Sequence, residues 1–359
     1  MNSDLKELRI LVCASGSGGH LFPARYIIEE LKLKGVSVSF LGAGAPLEPE
    51  ILGDLGIPLY SVPYTKVQNR GLIGWVKFIL SLPGGINKTL KHFLEIRPQL
   101  ILCVGGYATV LPSILGKLTG RKVWIHECEM QAGLANRWLS YFADRISLSY
   151  EESSVPCKSK QVYTGQPVRP DILEIAGKSR RVDRPQNLLI LGGSQGAKSL
   201  DRAILKLAPE LKKLGVKIWQ QARRENIAEL EECYRELELE AKVMPFVHDL
   251  PTAYEWSHLI VSRAGAGATM EISVVNRPAI FVPYPHAQGN HQKLNAELVV
   301  KQGKALLVEE GEEFAERLLA AIKKNLDSTY YNKIRVRAAA LRPKDAAKAI
   351  AEQAIGLVA

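Results

Sequence analysis

Residues 10–24 read ILVCASGSGGHLFPA, and residues 188–200 read LLILGGSQGAKSL. In both, a short apolar run gives way to a glycine-rich turn and then to residues of helical period, which is how a βαβ unit opens. Strands that feed helices in this way pair in parallel, so the two stretches predict two α/β halves that begin alike. Little else in the halves matches, so the likeness is a structural echo and not a tandem repeat.

Outward from the first stretch, strand candidates are LRILVCA (8–14), VSVSFLG (36–42), IPLYSV (57–62), LILCV (100–104), KVWIH (122–126) and DRISLS (144–149), with helical spacers between them. The second half restarts at NLLILGG (187–193) and continues through VKIWQQ, AKVMPF, HLIVSR, PAIFVP and KALLVEE. Residues 164–186, TGQPVRPDILEIAGKSRRVDRPQ, are rich in Pro, Gly and charge without sustained period, and read as the linker. The last segment, about 328–357, is Ala-rich and helical, and can pack back on the first half. The expected division is 1–164 with a returning helix about 342–359, and 165–341: two Rossmann-like parallel-sheet domains facing a cleft.

Bulk properties agree with this. At 359 residues the chain has room for two cores, and 47% hydrophobic with 23% charged residues excludes disorder, collagen and coiled coil. Five cysteines without a CxxC pair read as reduced thiols in a cytosol, and argue against a disulfide scaffold or a metal cluster. The start MNSDLKELRILV lacks the basic region of an export signal, and no run reaches the ~18 apolar residues of a spanning helix. The net charge of 47 − 37 = +10 asks for an anionic partner without choosing among nucleic acid, membrane surface and phosphorylated substrate.

Glycine-rich turns after strands let backbone N–H groups approach phosphate oxygens. The first, Gly16-Ser17-Gly18-Gly19-His20, is a poor dinucleotide fingerprint: Leu21 stands where the third glycine belongs, and the strand ending SFLGAG offers no acid for a ribose. Both departures count against NAD. His20, directly after the glycines, is a candidate acid or base, although a lone histidine is more often structural. The second turn, Gly192 to Ala197, adds the Ser194 hydroxyl. The third, Arg263 to Thr269, opens a helix bearing Glu271, where an anion would gain from the helix dipole and from Arg263.

Taken together, GxGGH (16–20), GGYAT (105–109), HExxxxAGLANRWL (126–139), GQPVR (165–169), GGSQGA (192–197), SRAGAxxxxEI (262–272) and HQxxNA (291–296) resemble, in order and over nearly the whole chain, the MurG family of UDP-N-acetylglucosamine transferases. The resemblance implies a GT-B glycosyltransferase that moves GlcNAc with inversion from UDP-GlcNAc to the C4 hydroxyl of undecaprenyl-diphospho-MurNAc-pentapeptide (lipid I). The product would be lipid II, the peptidoglycan precursor.

It implies His20 as base, and a donor site of Ser17, Gly18, Gly19, Glu129, Arg169, Ser194, Val247, Arg263, Ala266, Gly267, Ala268, Thr269, Met270, Glu271, Gln292 and Asn295. Within that site Glu271 would bind the ribose hydroxyls, the Val247 backbone the uracil, and Gln292 the GlcNAc, with Asn295 in support. Gly105, Gly106, Tyr107, His126 and Glu127 would serve the acceptor. Glu129 is a departure, since many members carry asparagine there and a carboxylate repels phosphates. No aspartate-rich metal motif is evident, so no obligatory metal or other cofactor is expected. Competing readings are another UDP-sugar enzyme of this architecture, such as a glycolipid synthase or a UDP-GlcNAc epimerase, and a non-catalytic scaffold.

From Lys66 to Lys122 nine basic residues face one acid, Glu95, for a net +8. Inside this segment Leu72, Ile73, Trp75, Phe78, Ile79 and Leu82 form an apolar cluster beside Lys77, too short and too interrupted by Pro83 and two glycines to span a bilayer. It suits an interfacial element on an anionic membrane, with the protein peripheral on the cytoplasmic face of the bacterial plasma membrane, against the alternative of a core helix with a solvated edge. Nucleic acid is disfavoured because no recognition helix or stacking stripe is apparent. Changing Trp75 and Phe78 to serine is expected to reduce pelleting with anionic vesicles; unchanged pelleting of a folded variant refutes the interfacial element.

Overall fold

The computed structural model describes residues 7–16, 18–62, 71–176, 181–193, 196–275, 277–287, 290–339 and 345–358, with backbone alone described for 71–80 and 337–339. It divides into two compact units, residues 1–168 with 344–359, and residues 169–343. The division falls after Val168 and not after Thr164 as read from the sequence, so the GQPV residues before Arg169 belong to the first unit.

The first unit holds seven parallel strands: β1 (Arg9–Ala14), β2 (Ser37–Gly42), β3 (Leu59–Ser61), β4 (Leu100–Gly105), β5 (Lys122–Glu127), β6 (Arg145–Leu148) and β7 (Gln161–Tyr163), in the order β3-β2-β1-β4-β5-β6-β7. Alternation divides their side chains between two cores. Ile10, Val12 and Ala14 join one that includes Leu21, Ile27 and Ile28 of the helix Gly18–Leu33; Leu11 and Cys13 join another that includes Phe93, Leu111 and Leu139. The edge strand β7 escaped the sequence reading because three half-exposed residues carry too little pattern.

The segment with the apolar cluster forms a helix, Gly71–Ile96, that runs through Pro83 without ending. Leu82 is half-buried, whereas the side chains of Leu72, Ile73, Trp75, Lys77, Phe78 and Ile79 lie outside the described residues. No helix among the described residues is long and apolar enough to cross a membrane.

The second unit holds β8 (Asn187–Leu191), β9 (Lys217–Gln221), β10 (Ala241–Met244), β11 (Leu259–Ser262), β12 (Ala279–Phe281) and β13 (Ala305–Leu307), ordered β10-β9-β8-β11-β12-β13 and parallel throughout. Its main core joins Leu188, Ile190 and Val261 to the helices Lys198–Lys213 and Phe314–Leu326. The linker reading is corrected in part: Pro170–Ile175 is a helix, with proline in its first turn where no N–H is needed. The C-terminal segment is two helices. Ser328–Ala339 stays in the second unit, whereas Ala346–Gly356 returns to the first, where Ile350, Ala351 and Ala354 enter the core beside the helix Gly18–Leu33.

Candidate active site

An open parallel sheet binds ligands beyond the carboxyl ends of its strands, where the strand order reverses and adjacent loops part to opposite faces. In the first unit the order reverses between β1 and β4, and in the second between β8 and β11. The segments that follow those four strands begin at Ser15, Gly106, Gly192 and Arg263. All four are motifs singled out above, so topology brings together in pairs what the sequence holds far apart.

In the first unit the register of β1 against β4 shifts between Cys13 and Ala14. Beyond the shift the Ser15 N–H donates to the Gly105 carbonyl at 3.0 Å, and the Ser15 hydroxyl accepts from the Ala108 N–H at 3.1 Å. Gly106 (φ +87°) packs so closely on Ser15 that a Cβ would stand 2.5 Å from its hydroxyl oxygen. His20 lies in the first turn of the helix Gly18–Leu33, its ring against Gly105, where a Cβ would stand 2.5 Å from Cδ2 and 2.8 Å from Nε2. Half-buried as a residue, His20 has a fully enclosed Nδ1 with no well-aligned hydrogen-bond partner among the described residues. Burial lowers its proton affinity, with the Ser15 backbone pulling the other way, so the ring is neutral at physiological pH.

His126 and Glu127, read as acceptor contacts, are 0% and 2% exposed at the end of β5, and their polar atoms are engaged from within the unit. His126 Nδ1 meets the Ser147 hydroxyl at 2.9 Å and Nε2 the Ser149 hydroxyl at 3.2 Å; Gln166 lies beside them. Glu127 accepts from the Glu129 N–H at 2.9 Å and from the Asn136 amide at 3.0 Å, bracing the loop between them. The structure thus gives this pair a positioning place behind the loop. Tyr107 and Glu129 are half-buried at the same strand ends. Ser17 lies outside the described residues, while Gly18 and Gly19 open the helix that carries His20.

In the second unit the helix Ala266–Val275 starts directly after the third glycine turn. Neither Gly265 nor Gly267 has a positive φ, and a Cβ at either would meet nothing within 4 Å among the described residues. Among the described residues neither a positive φ nor a close neighbour requires glycine at these two positions. Ala268 and Met270 are half-exposed on this helix, and Thr269 is buried with its hydroxyl donating to the Gly265 carbonyl at 2.9 Å. Glu271, partly buried, accepts from the buried Tyr254 hydroxyl at 3.1 Å. Burial pushes its carboxyl up to about 7, against the pull of Tyr254 and Arg169. Arg169 itself forks onto Asp171 at 3.1 and 2.6 Å.

Arg263 differs from its expected part. Its charge is already met by Glu310 at 2.6 Å, and the pair is only 10% and 17% exposed. Gln292 accepts from the Tyr284 N–H at 2.9 Å, the buried Asn295 donates to the Ala264 carbonyl at 3.4 Å, and the Val247 side chain is buried in the loop after β10. Ser194 lies outside the described residues. Among the described residues no three His, Cys, Asp or Glu side chains are grouped to hold a metal ion. Sequence reasoning missed Ser15, Tyr254, Ser199 and Glu310. Ser15 and Ser199 stand beside recognised motifs, but nothing local marks Tyr254 or Glu310.

Two parallel-sheet units with paired glycine loops at their switch points are the architecture of a GT-B glycosyltransferase. The chain belongs to glycosyltransferase family 28: residues 10–148 match its N-terminal domain and residues 187–352 its C-terminal domain. The UDP-N-acetylglucosamine--N-acetylmuramyl-(pentapeptide) pyrophosphoryl-undecaprenol N-acetylglucosamine transferase of Desulfotalea psychrophila is 35% identical over 326 residues, 89% of this chain and 88% of that protein. The enzyme of the same name from Pseudomonas aeruginosa is 34% identical over 319 residues, covering 88% and 89%. Among solved structures, the crystal structure of Acinetobacter baumannii MurG matches with TM-score 0.81 and 26% identity over 97% of this chain and 99% of that one. The UDP-GlcNAc 2-epimerase of Neisseria meningitidis shares the fold alone, at TM-score 0.66 and 16% identity over 97% and 100%.

Buried charge makes the first unit's stability pH-dependent. Burial lowers His126 from 6.5 to about 4, so its contribution is present above pH 6.5 and lost as pH falls. Glu127 is raised from 4.5 to about 7, so its contribution is present below pH 4.5 and lost as pH rises. The two oppose each other, each by on the order of 3 kcal/mol. Relative to wild type, His126→Gln is expected to gain stability and Glu127→Gln to lose it as pH is lowered from 7 to 4.5. Chemical denaturation at each pH checks this, and parallel curves would refute it.

Proposed function

We propose that this chain transfers GlcNAc from UDP-GlcNAc to the C4 hydroxyl of the undecaprenyl-diphosphate-linked muramoyl pentapeptide, forming lipid II. The observation that carries the mechanism is the His20 ring held against Gly105 at the first switch point, where burial lowers its proton affinity. A sugar hydroxyl is a weak nucleophile, and a neutral imidazole is a base able to take its proton as the oxygen attacks C1. The bond from C1 to the UDP oxygen breaks on the opposite face, so configuration inverts. His20 carries the proton away, and UDP leaves with the bonding electrons.

The second unit is the donor's in this reading. The N-terminus of the helix Ala266–Val275 turns the N–H groups of its first turn toward the developing charge on UDP, and the bare α-carbons of Gly265 and Gly267 leave room for the diphosphate. Ser194, Ala266, Ala268, Thr269 and Met270 belong to that cradle. Glu271 accepts the ribose hydroxyls, which favour its ionised form; the Val247 backbone meets the uracil, and Gln292 and Asn295 order the sugar end. Arg169 tunes Glu271. The charge on the leaving group is met by the helix dipole and backbone donors, and the proposal includes no cofactor.

The acceptor falls to the first unit, with Gly105, Gly106 and Tyr107 lining its site and His126 and Glu127 bracing it from behind. Glu129 would be turned from the phosphates. A lipid-linked acceptor places the enzyme peripherally on the cytoplasmic face of the plasma membrane, and the basic segment 66–122 supports this through its net +8. The family's match through the acceptor motifs favours transfer over epimerisation.

Labelled GlcNAc from UDP-GlcNAc should appear in a short-chain lipid I analogue. His20→Ala should lower kcat by about 10²–10⁴-fold with little change in donor KM, the range for loss of a general base. In wild type, kcat/KM should fall on the acid side with an apparent pKa below the ordinary 6.5 of histidine. Absence of transfer by wild type contradicts the function, and full activity of the variant contradicts the base.

A further inference from the structure

Arg263 is held by neutral acceptors as well as by its one carboxylate partner. Its Nη1 donates to the carbonyls of Val282 at 3.1 Å and Pro283 at 3.2 Å while pairing with Glu310 at 2.6 Å. Its Nη2 donates to the Ser199 hydroxyl at 3.1 Å, and that hydroxyl donates onward to Glu310 at 2.5 Å. Its stem packs 3.7 Å from where a Cβ on Gly193 would stand, and its guanidinium lies 5.7 Å from the centre of the Tyr284 ring.

The partners have a common address. Ser199 opens the helix after the β8 turn, Arg263 follows β11, Val282 to Tyr284 follow β12, and Glu310 follows β13. All stand at the carboxyl ends of neighbouring strands, beside the second unit's switch point. The 282–284 segment is in turn held by Gln292, whose side chain accepts from the Tyr284 N–H. One guanidinium thus ties four loops, and one carboxylate closes the ring by holding both Arg263 and Ser199.

A buried ion pair is a poor source of net stability, since desolvation offsets most of the attraction and an apolar pair of equal volume serves as well. What it supplies here is direction. Arginine's planar fork fixes several partners at set angles, which an apolar contact cannot do.

We infer that Glu310 is a positioning residue for donor binding. Through Arg263 and Ser199 it sets the spacing between the glycine turn after β8 and the helix start after β11, and so the shape offered to a nucleoside diphosphate. This rests on the second unit being the donor's. The action of Glu310 runs through the two side chains it holds.

UDP itself is the probe, used with the full chain in titration calorimetry beside initial-rate kinetics and thermal melting. Glu310→Ala is expected to weaken UDP binding and raise the KM for UDP-GlcNAc by about tenfold, the scale for a network residue without ligand contact. The KM for the lipid-linked acceptor should stay unchanged. Glu310→Asp, which keeps the charge, should recover most of the affinity, and Glu310→Gln, which keeps an acceptor oxygen without the charge, should fall between. A melting temperature that drops while UDP affinity stays at the wild-type value overturns the inference, because that is the signature of a purely structural pair. Equal loss in the donor and acceptor KM overturns it as well. If the alanine variant does not fold, the glutamine variant decides on the same readouts. Wild-type protein that binds no UDP overturns the donor reading itself, and with it this inference.

Discussion

The organising constraint is that a parallel sheet delivers every strand's carboxyl end to one edge, and that the strand order reverses once. At the reversal two neighbouring loops must leave toward opposite faces, which opens a crevice without any side chain being asked to make it. Both units use this. In the first, Ser15 meets Gly105 and Gly106 and the His20 ring rests on Gly105; in the second, Gly193 stands beside Arg263, which precedes the helix at Ala266. His20, Gly105, Gly106 and Glu271, which carry central parts in the proposed reaction, all descend from those strand ends.

Once the backbone has made the crevices, buried polar side chains set their shape. Ser15 joins two loops with one hydroxyl, Glu127 holds a loop by the Glu129 N–H and the Asn136 amide, and Arg263 with Glu310 ties four. These groups are costly to bury and are satisfied from inside the unit, so their value lies in fixing geometry. His126 and Glu127 carry that cost visibly: one is driven neutral and the other toward protonation by the same burial.

Much of this was legible in the sequence because glycine is diagnostic. The turns at 16–20, 105–106, 192–196 and 263–267 can be read from a string, as can the apolar runs that precede them. The division of the chain was nearly so, though the short helix Pro170–Ile175 hid in a segment whose prolines and charges suggested only a linker. Side-chain roles were less legible. The sequence shows that Arg263 follows a strand and opens a phosphate-type loop, which suggests a ligand contact. It does not show that Glu310, 47 positions on, reaches the same place by way of β12 and β13. Likewise the resemblance names His126 and Glu127 as acceptor residues, but their burial and their bonds to Ser147, Ser149 and Asn136 cannot be read from the string.

Two glycines isolate the ligand's claim on the structure from the protein's own. Gly267 lies in a helix with ordinary backbone angles and open space where a Cβ would stand, so Gly267→Ala should leave the fold intact and even stabilise it, by about 0.5–1 kcal/mol. If that space belongs to the diphosphate of the donor, the added methyl must weaken UDP binding. The deciding measurement is UDP affinity by calorimetry on Gly267→Ala beside its melting temperature. An equal or higher melting temperature with affinity reduced about tenfold is the expected result, the scale of one methyl forced into a filled site. Undiminished UDP affinity in the variant would contradict the assignment of this helix start to the donor.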